Sequence, residues 1–109
     1  MKKTIILNPQ ESDSIYMNDT FFPDNLICSI DVLNVPQAQY KDTFNFRITY
    51  KNQNGNSTSN EIGIKAEMLN FSGFASIAGC DTTYDTIQIQ SLNNVSVKIM
   101  VRIGVFKAV

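Results

Sequence analysis

Residues 93–109 read NNVSVKIMVRIGVFKAV, and within them Val95, Val97, Ile99, Val101, Ile103 and Val105 fall on every second position. A period of two marks a β-strand that turns one face to a core. The opposite face is mixed: Ser96, Lys98 and Arg102 are polar, whereas Met100, Gly104 and Phe106 are not. A strand covered on both faces would read apolar throughout, so this one is expected to present its second face to solvent or to another molecule. At about 3.3 Å per residue, the stretch from Val95 to Val105 would extend about 36 Å. For 109 residues the compactness rule gives a radius of gyration of about 13 Å and a globule about 34 Å across. The strand therefore spans its domain, and the apolar ending Phe106, Lys107, Ala108, Val109 is expected to dock on the fold or on a neighbour. Met100, Arg102, Phe106 and Val109 are the interface candidates.

The same alternation recurs upstream. In FNFRITYK, Phe44, Phe46, Ile48 and Tyr50 share one face, and Asn45, Arg47, Thr49 and Lys51 share the other. In LICSIDVL, Leu26, Cys28, Ile30 and Val32 oppose Ser29 and Asp31, and Pro36 ends the run. The turn formers NQNGNSTSN, 52–60, predict a solvated hairpin loop. Beyond it, EIGIKAEML places Ile62, Ile64, Ala66 and Met68 on one side; its composition also suits a helix, but Gly63 and the period of two favour a strand. Ile87 and Ile89 alternate with Gln88 and Gln90, and Asn93-Asn94 predicts a turn that pairs this strand antiparallel with the last one. Shorter strands are expected at 3–7, 14–17 and 71–77, with Phe21 and Phe22 capping one end of the core. Seven or eight strands joined by polar turns, with no long helical period, predict an all-β fold: one antiparallel β-sandwich or jelly-roll-like domain over 1–109.

Composition removes much chemistry. The chain has no histidine, which excludes Ser-His-Asp and Cys-His catalysis and any zinc site built on histidine. Its two cysteines are too few for a four-cysteine zinc site or a disulfide scaffold; Cys28 and Cys80 either pair, which would stabilise the fold by about 4 kcal/mol, or are a buried thiol at Cys28 and a loop thiol at Cys80, the reading that a cytoplasmic chain favours. Paired carboxylates suffice for glycoside hydrolysis, and Asp81 with Asp85, or Glu11 with Asp13, would supply them. Aspartate is an ordinary turn residue, however, and no tryptophan offers a sugar platform. Asp81, Thr82 and Asp85 could gather oxygen ligands for calcium, at a spacing unlike an EF-hand. Tyr40, Tyr50 and Tyr84 could face a sugar, although tyrosines in strands usually pack. Asp81, Tyr84 and Asp85 are thus the candidate ligand loop, and the expectation is a protein that is not an enzyme and holds no cofactor.

A net charge of −1, with no basic run beyond Lys2-Lys3, predicts no nucleic-acid or anionic-membrane partner. The start MKKTIIL breaks at Asn8-Pro9, too soon for a signal core or a spanning helix, so the chain is expected to remain in a cytoplasm. Apolar residues make up 43% and charged residues 17%, rather little charge for a fully solvated monomer. Abundant Asn and Ile, with Lys outnumbering Arg, match AT-rich coding in a low-GC bacterium or its phage. A short, histidine-free, all-β chain of this composition with a long final strand (NNVSVKIMVRIGVF) resembles the small virion proteins of tailed phages: head-decoration, head-fibre and tail-accessory modules. The resemblance is one of composition and architecture and carries no individual residue. It implies a β-sandwich or jelly roll, assembled in the host cytoplasm, that packs as a homo-oligomer, often a trimer, against other virion proteins. The competing expectation is a glycan- or small-ligand-binding module using the loops at 52–60 and 79–85.

Overall fold

The computed structural model describes residues 1–39, 41–65, 73–74 and 82–105. Among them, eight strands run in chain order: β1 Lys2–Leu7, β2 Ser12–Phe21, β3 Leu26–Leu33, β4 Thr43–Lys51, β5 Ser57–Lys65, the two-residue β6 Gly73–Phe74, β7 Tyr84–Ser91 and β8 Val97–Val105. They form two sheets of order β1-β8-β3-β6 and β2-β7-β4-β5. Strand β1 pairs with β8, β2 with β7, β3 with β6 and β4 with β5, all antiparallel. The chain is thus one long hairpin with arms β1–β4 and β5–β8, rolled so that successive pairs fall alternately in the two sheets. Pairings of β3 with β8 and of β4 with β7 close the roll. This is the all-β sandwich expected from the alternation, with the connectivity of a jelly roll.

Strands β3, β4 and β7 form where their patterns say they should, because a period of two lets a pleated ribbon bury one face. Phe44, Phe46, Ile48 and Tyr50 of β4 are buried against Val97, Ile99, Val101 and Ile103 of β8 in a common core. Leu26, Cys28 and Ile30 of β3 and Ile87 and Ile89 of β7 complete its centre. Phe21 caps the core as expected, its ring edge-on to Tyr50 at 6.2 Å, while Phe22 is exposed.

Several expectations are corrected. Strand β8 begins at Val97, and Val95 lies before it, exposed. The nine residues of β8 extend only about 30 Å, and the molecule measures 44 × 28 × 22 Å with a radius of gyration of 14.0 Å. The last strand therefore does not overhang its domain; it is central, with both backbone edges taken by β1 and β3. Strands β7 and β8 do not form a hairpin, because they belong to opposite sheets and the chain between them crosses the sandwich. The loop at 52–60 is shorter than its composition predicts, since β5 starts at Ser57. Asn52 closes it early: its Oδ1 accepts from the backbone N–H of Asn54 and of Asn56 at 3.0 and 3.1 Å, and Gly55 turns the chain at φ 85°. Ala66 and Met68 lie outside the described residues, as does most of the strand expected at 71–77.

Gly63 is held by close neighbours. A Cβ there would stand 2.9 Å from Thr43 Cγ2 and 3.2 Å from Asn45 Oδ1. Gly63→Ala is expected to lower the unfolding free energy by about 1 kcal/mol in urea titrations, the usual sign of overpacking. At an unobstructed extended position the same change raises it by about 0.5 kcal/mol, so a gain in stability would show that Thr43 simply rotates aside.

Candidate interaction face

Sheet pairing places three rows of side chains across the outer face of β2-β7-β4-β5. They are Ser12, Gln90, Arg47 and Glu61; Ser14, Gln88, Thr49 and Ser59; and Tyr16, Thr86, Lys51 and Ser57. No aliphatic side chain stands among them. The rows are stitched by Arg47 donating to Glu61 Oε1 at 2.7 and 3.1 Å, by Gln88 Nε2 donating to Ser12 Oγ at 3.0 Å, and by Gln90 Nε2 donating to the Gln10 carbonyl at 3.1 Å. Such a face satisfies its own polar groups and is at home in water.

The outer face of β1-β8-β3 is built differently. Its rows are Lys2, Arg102 and Ser29; Thr4, Met100 and Asp31; and Ile6, Lys98 and Leu33, with Gly104 beside Ile27 at one end. Ile6 is 62% exposed, Ile27 43% and Met1 56%, and Val95 near the opposite end is 51% exposed. Of the six large hydrophobic side chains exposed among the described residues, these are four; the others are Tyr16 and Phe22. Six of the nine side chains in these rows are polar, and two of them pair with each other: Arg102 Nη1 donates to Asp31 Oδ2 at 2.7 Å, an exposed pair that contributes little to folding itself. The N-terminal ammonium donates to the Ile103 carbonyl at 2.8 Å, and the Ile103 N–H donates to the Met1 carbonyl at 2.8 Å, which anchors Met1 at the end of β8.

The interface candidates thus divide. Met100 and Arg102 stand on this outer face, Met100 half-buried and Arg102 exposed; Phe106 and Val109 lie outside the described residues. Sequence reasoning missed Ile6 and Ile27, because pairing with β8 is what brings them beside Met100 and Gly104. Their own signal was available: each is an apolar residue out of phase with its strand's buried set.

Of the candidate ligand loop, only Tyr84 and Asp85 lie among the described residues, both in β7. Tyr84 is 4% exposed and packs on Tyr50 with ring centroids 6.3 Å apart, so its ring is core and has no face to offer a sugar. Tyr50 is fully buried as well. Asp85 belongs to β7 and accepts from its neighbour Thr86 Oγ1 at 2.9 Å, while Asp81, Tyr40 and Cys80 lie outside the described residues. Glu11 accepts from Asn8 Nδ2 at 3.2 Å, and Asp13 pairs with Lys3 across the sandwich edge at 3.1 Å; neither acid faces the other as a catalytic pair. Among the described residues no group of three or more Cys, Asp or Glu gathers as a cation site, and no helix is long and apolar enough to cross a membrane.

Cys28 is a buried free thiol in β3. Burial without a cationic partner pushes its pKa up to about 12, the opposite of what a nucleophile needs. Burial, and the adjacent Cys28, push the Tyr50 hydroxyl upward too. Both groups are core material. Compared with protein-family models, with curated proteins and with solved structures, the chain matches none.

Proposed function

We propose that this protein is a non-enzymatic structural component that assembles with copies of itself, and with other proteins of a phage particle, through the outer face of β1-β8-β3. The observation that carries the reading is the contrast between the two outer faces. One is a self-satisfied polar grid; the other sets Ile6 and Ile27, both exposed, and the half-buried Met100 among its polar side chains, with exposed Met1 and Val95 beyond its two ends. Exposed aliphatics gathered on one face of a small domain mark an interaction surface more often than a solvated one. The roll itself is compatible with this role, since jelly rolls serve in viral capsids, but they serve equally in lectins and cupins, and a fold alone does not choose among functions. The virion assignment rests on the compositional resemblance, and the absence of histidine weighs against catalysis. Of the three aromatics open to the glycan-binding alternative, Tyr50 and Tyr84 are buried and Tyr40 lies outside the described residues.

Light scattering on the purified protein at micromolar concentration is expected to show a defined oligomer. Met100→Glu places a carboxylate in the middle of the face and is expected to weaken association at least about tenfold, with the fold intact by circular dichroism. Thr49→Glu, on the polar face, should leave association unchanged. A wild-type chain that stays monomeric, or a Thr49→Glu variant that dissociates as readily as Met100→Glu, would overturn the assignment of the face. The virion part is tested separately by mass spectrometry of particles from the source culture, in which the chain is expected at stoichiometric copy number.

A further inference from the structure

Gly104 pairs with Ile27 near the end of β8, and nothing among the described residues requires a glycine there. Its φ is outside the left-handed region that requires glycine, and no described atom lies within 4 Å of a Cβ built on it. Among the described residues nothing obstructs a side chain there, and most residues would hold the strand better, because glycine loses the most backbone entropy on being fixed in a strand. A glycine inside a strand otherwise marks a place where another molecule comes close. It floors a shallow depression of about 610 Å³ whose walls include Ile27, Arg102 and Met1.

Ile27 is the direct cross-strand partner of Gly104, and it projects from the same face, 43% exposed. A protruding side chain and a missing one therefore stand side by side on adjacent strands. A two-fold axis running parallel to the strands, between β3 and β8, brings the protrusion of one copy over the gap of another, twice. The same operation lays the second copy's Asp31 above Met100, one row from Arg102, which already binds its own Asp31 at 2.7 Å. Two arginines and two aspartates then alternate around the axis, so the charges at the centre are complementary.

We infer that two copies of this chain pair face to face through β3 and β8, with Ile27 of each seated over Gly104 of the other; this rests on the assembly reading above and names its partner. The strands of this sheet hold six, nine, eight and two residues, which at about 3.3 Å rise and about 4.8 Å spacing present about 400 Å² per copy, or about 800 Å² in the pair, the size of a reversible contact rather than an obligate one.

The test is Gly104→Val, followed by light scattering and by thermal unfolding at a concentration where the chain is monomeric. The valine fills the gap that Ile27 needs, so dimerisation is expected to weaken at least about 100-fold. The same valine suits an open strand position, so the monomer is expected to melt about 3 °C higher. Ile27→Ala, which removes the protrusion, is expected to weaken the dimer at least about tenfold; it also serves as the reading should Gly104→Val not fold. A dimer that survives both changes overturns the pairing. A wild-type trimer does so too, because a three-fold contact joins unlike surfaces, yet it leaves the assembly reading standing. A wild-type monomer overturns both.

Discussion

Asn93→Leu is expected to reduce the unfolding free energy by about 2 kcal/mol, although leucine has the same number of side-chain heavy atoms as asparagine and the site is 8% exposed. The reason is that Asn93 does the work of a strand without being in one. Its Oδ1 accepts from the backbone N–H of Asn45 at 2.8 Å, and its Nδ2 donates to the Asn45 carbonyl at 3.0 Å and to Ser91 Oγ at 3.0 Å. The carboxamide thus copies a peptide group and continues the β7–β4 ladder one step past Ser91, while the main chain leaves for the other sheet. Leucine would strand the Asn45 donor, at about 1–3 kcal/mol for an unsatisfied buried group, while the fully buried Ser91 Oγ would keep only the backbone N–H of residue 93, at 3.3 Å. Asn93→Asp keeps shape and acceptor, and the Asn45 carbonyl keeps the Leu92 N–H at 3.0 Å, but a carboxylate then stands against that carbonyl in a site only 8% exposed, so it should cost at least as much at neutral pH. Urea unfolding followed by circular dichroism measures the loss, and faster exchange of the Asn45 amide hydrogen would locate it. A variant within about 0.5 kcal/mol of wild type would mean that water replaces the carboxamide.

That residue also shows where the sequence stops being legible. Asn93-Asn94 announces that a strand ends, and it does; nothing local says whether the next strand returns beside the last or crosses to the opposite sheet. The crossing is decided by what β8 finds there, namely β1 and β3 on its two edges, and both partners come from the other end of the chain. Strand existence and phase were legible in β3, β4 and β8 because their alternation is a local property of a half-buried ribbon. Pairing was not, because register between distant segments is a property of the whole core. The same division governs the candidate face. Met100 and Arg102 could be placed on the outward side of β8 from its phase alone, whereas Ile6 and Ile27 join them only through pairing. Tyr84 was misread for a related reason: with Asp81 and Asp85 it looks like a polar loop, but the ring enters the core beside Tyr50, a contact across strands that its neighbours in sequence do not announce.

Alkaline pH is expected to unfold this protein, and Cys28→Ala is expected to blunt that response. Cys28 is fully buried at the centre of β3, and desolvation raises its pKa from an ordinary 9.0 to about 12. Folding therefore disfavours the thiolate. Below pH 9 both folded and unfolded chains hold the proton, and the stability associated with this group is fully present. Between pH 9.0 and about 12 the unfolded chain releases the proton and the folded chain does not, so stability falls as pH rises. At about 1.36 kcal/mol per pH unit, the full span corresponds to about 4 kcal/mol, a large share of the 5–15 kcal/mol or so available to a domain. Tyr50, whose hydroxyl is also raised by burial and then by Cys28, acts in the same direction and begins later, above the ordinary tyrosine value near 10. Urea midpoints at pH 7, 9, 10 and 11 separate the two groups. The wild type should lose stability steadily from pH 9 upward, whereas Cys28→Ala, weaker at pH 7 because of the small cavity it leaves, should hold its midpoint to about pH 10 and decline only with Tyr50 beyond it. Parallel curves for the two proteins would show that alkaline unfolding comes from elsewhere, and that the Cys28 thiolate is accommodated by water reaching the core.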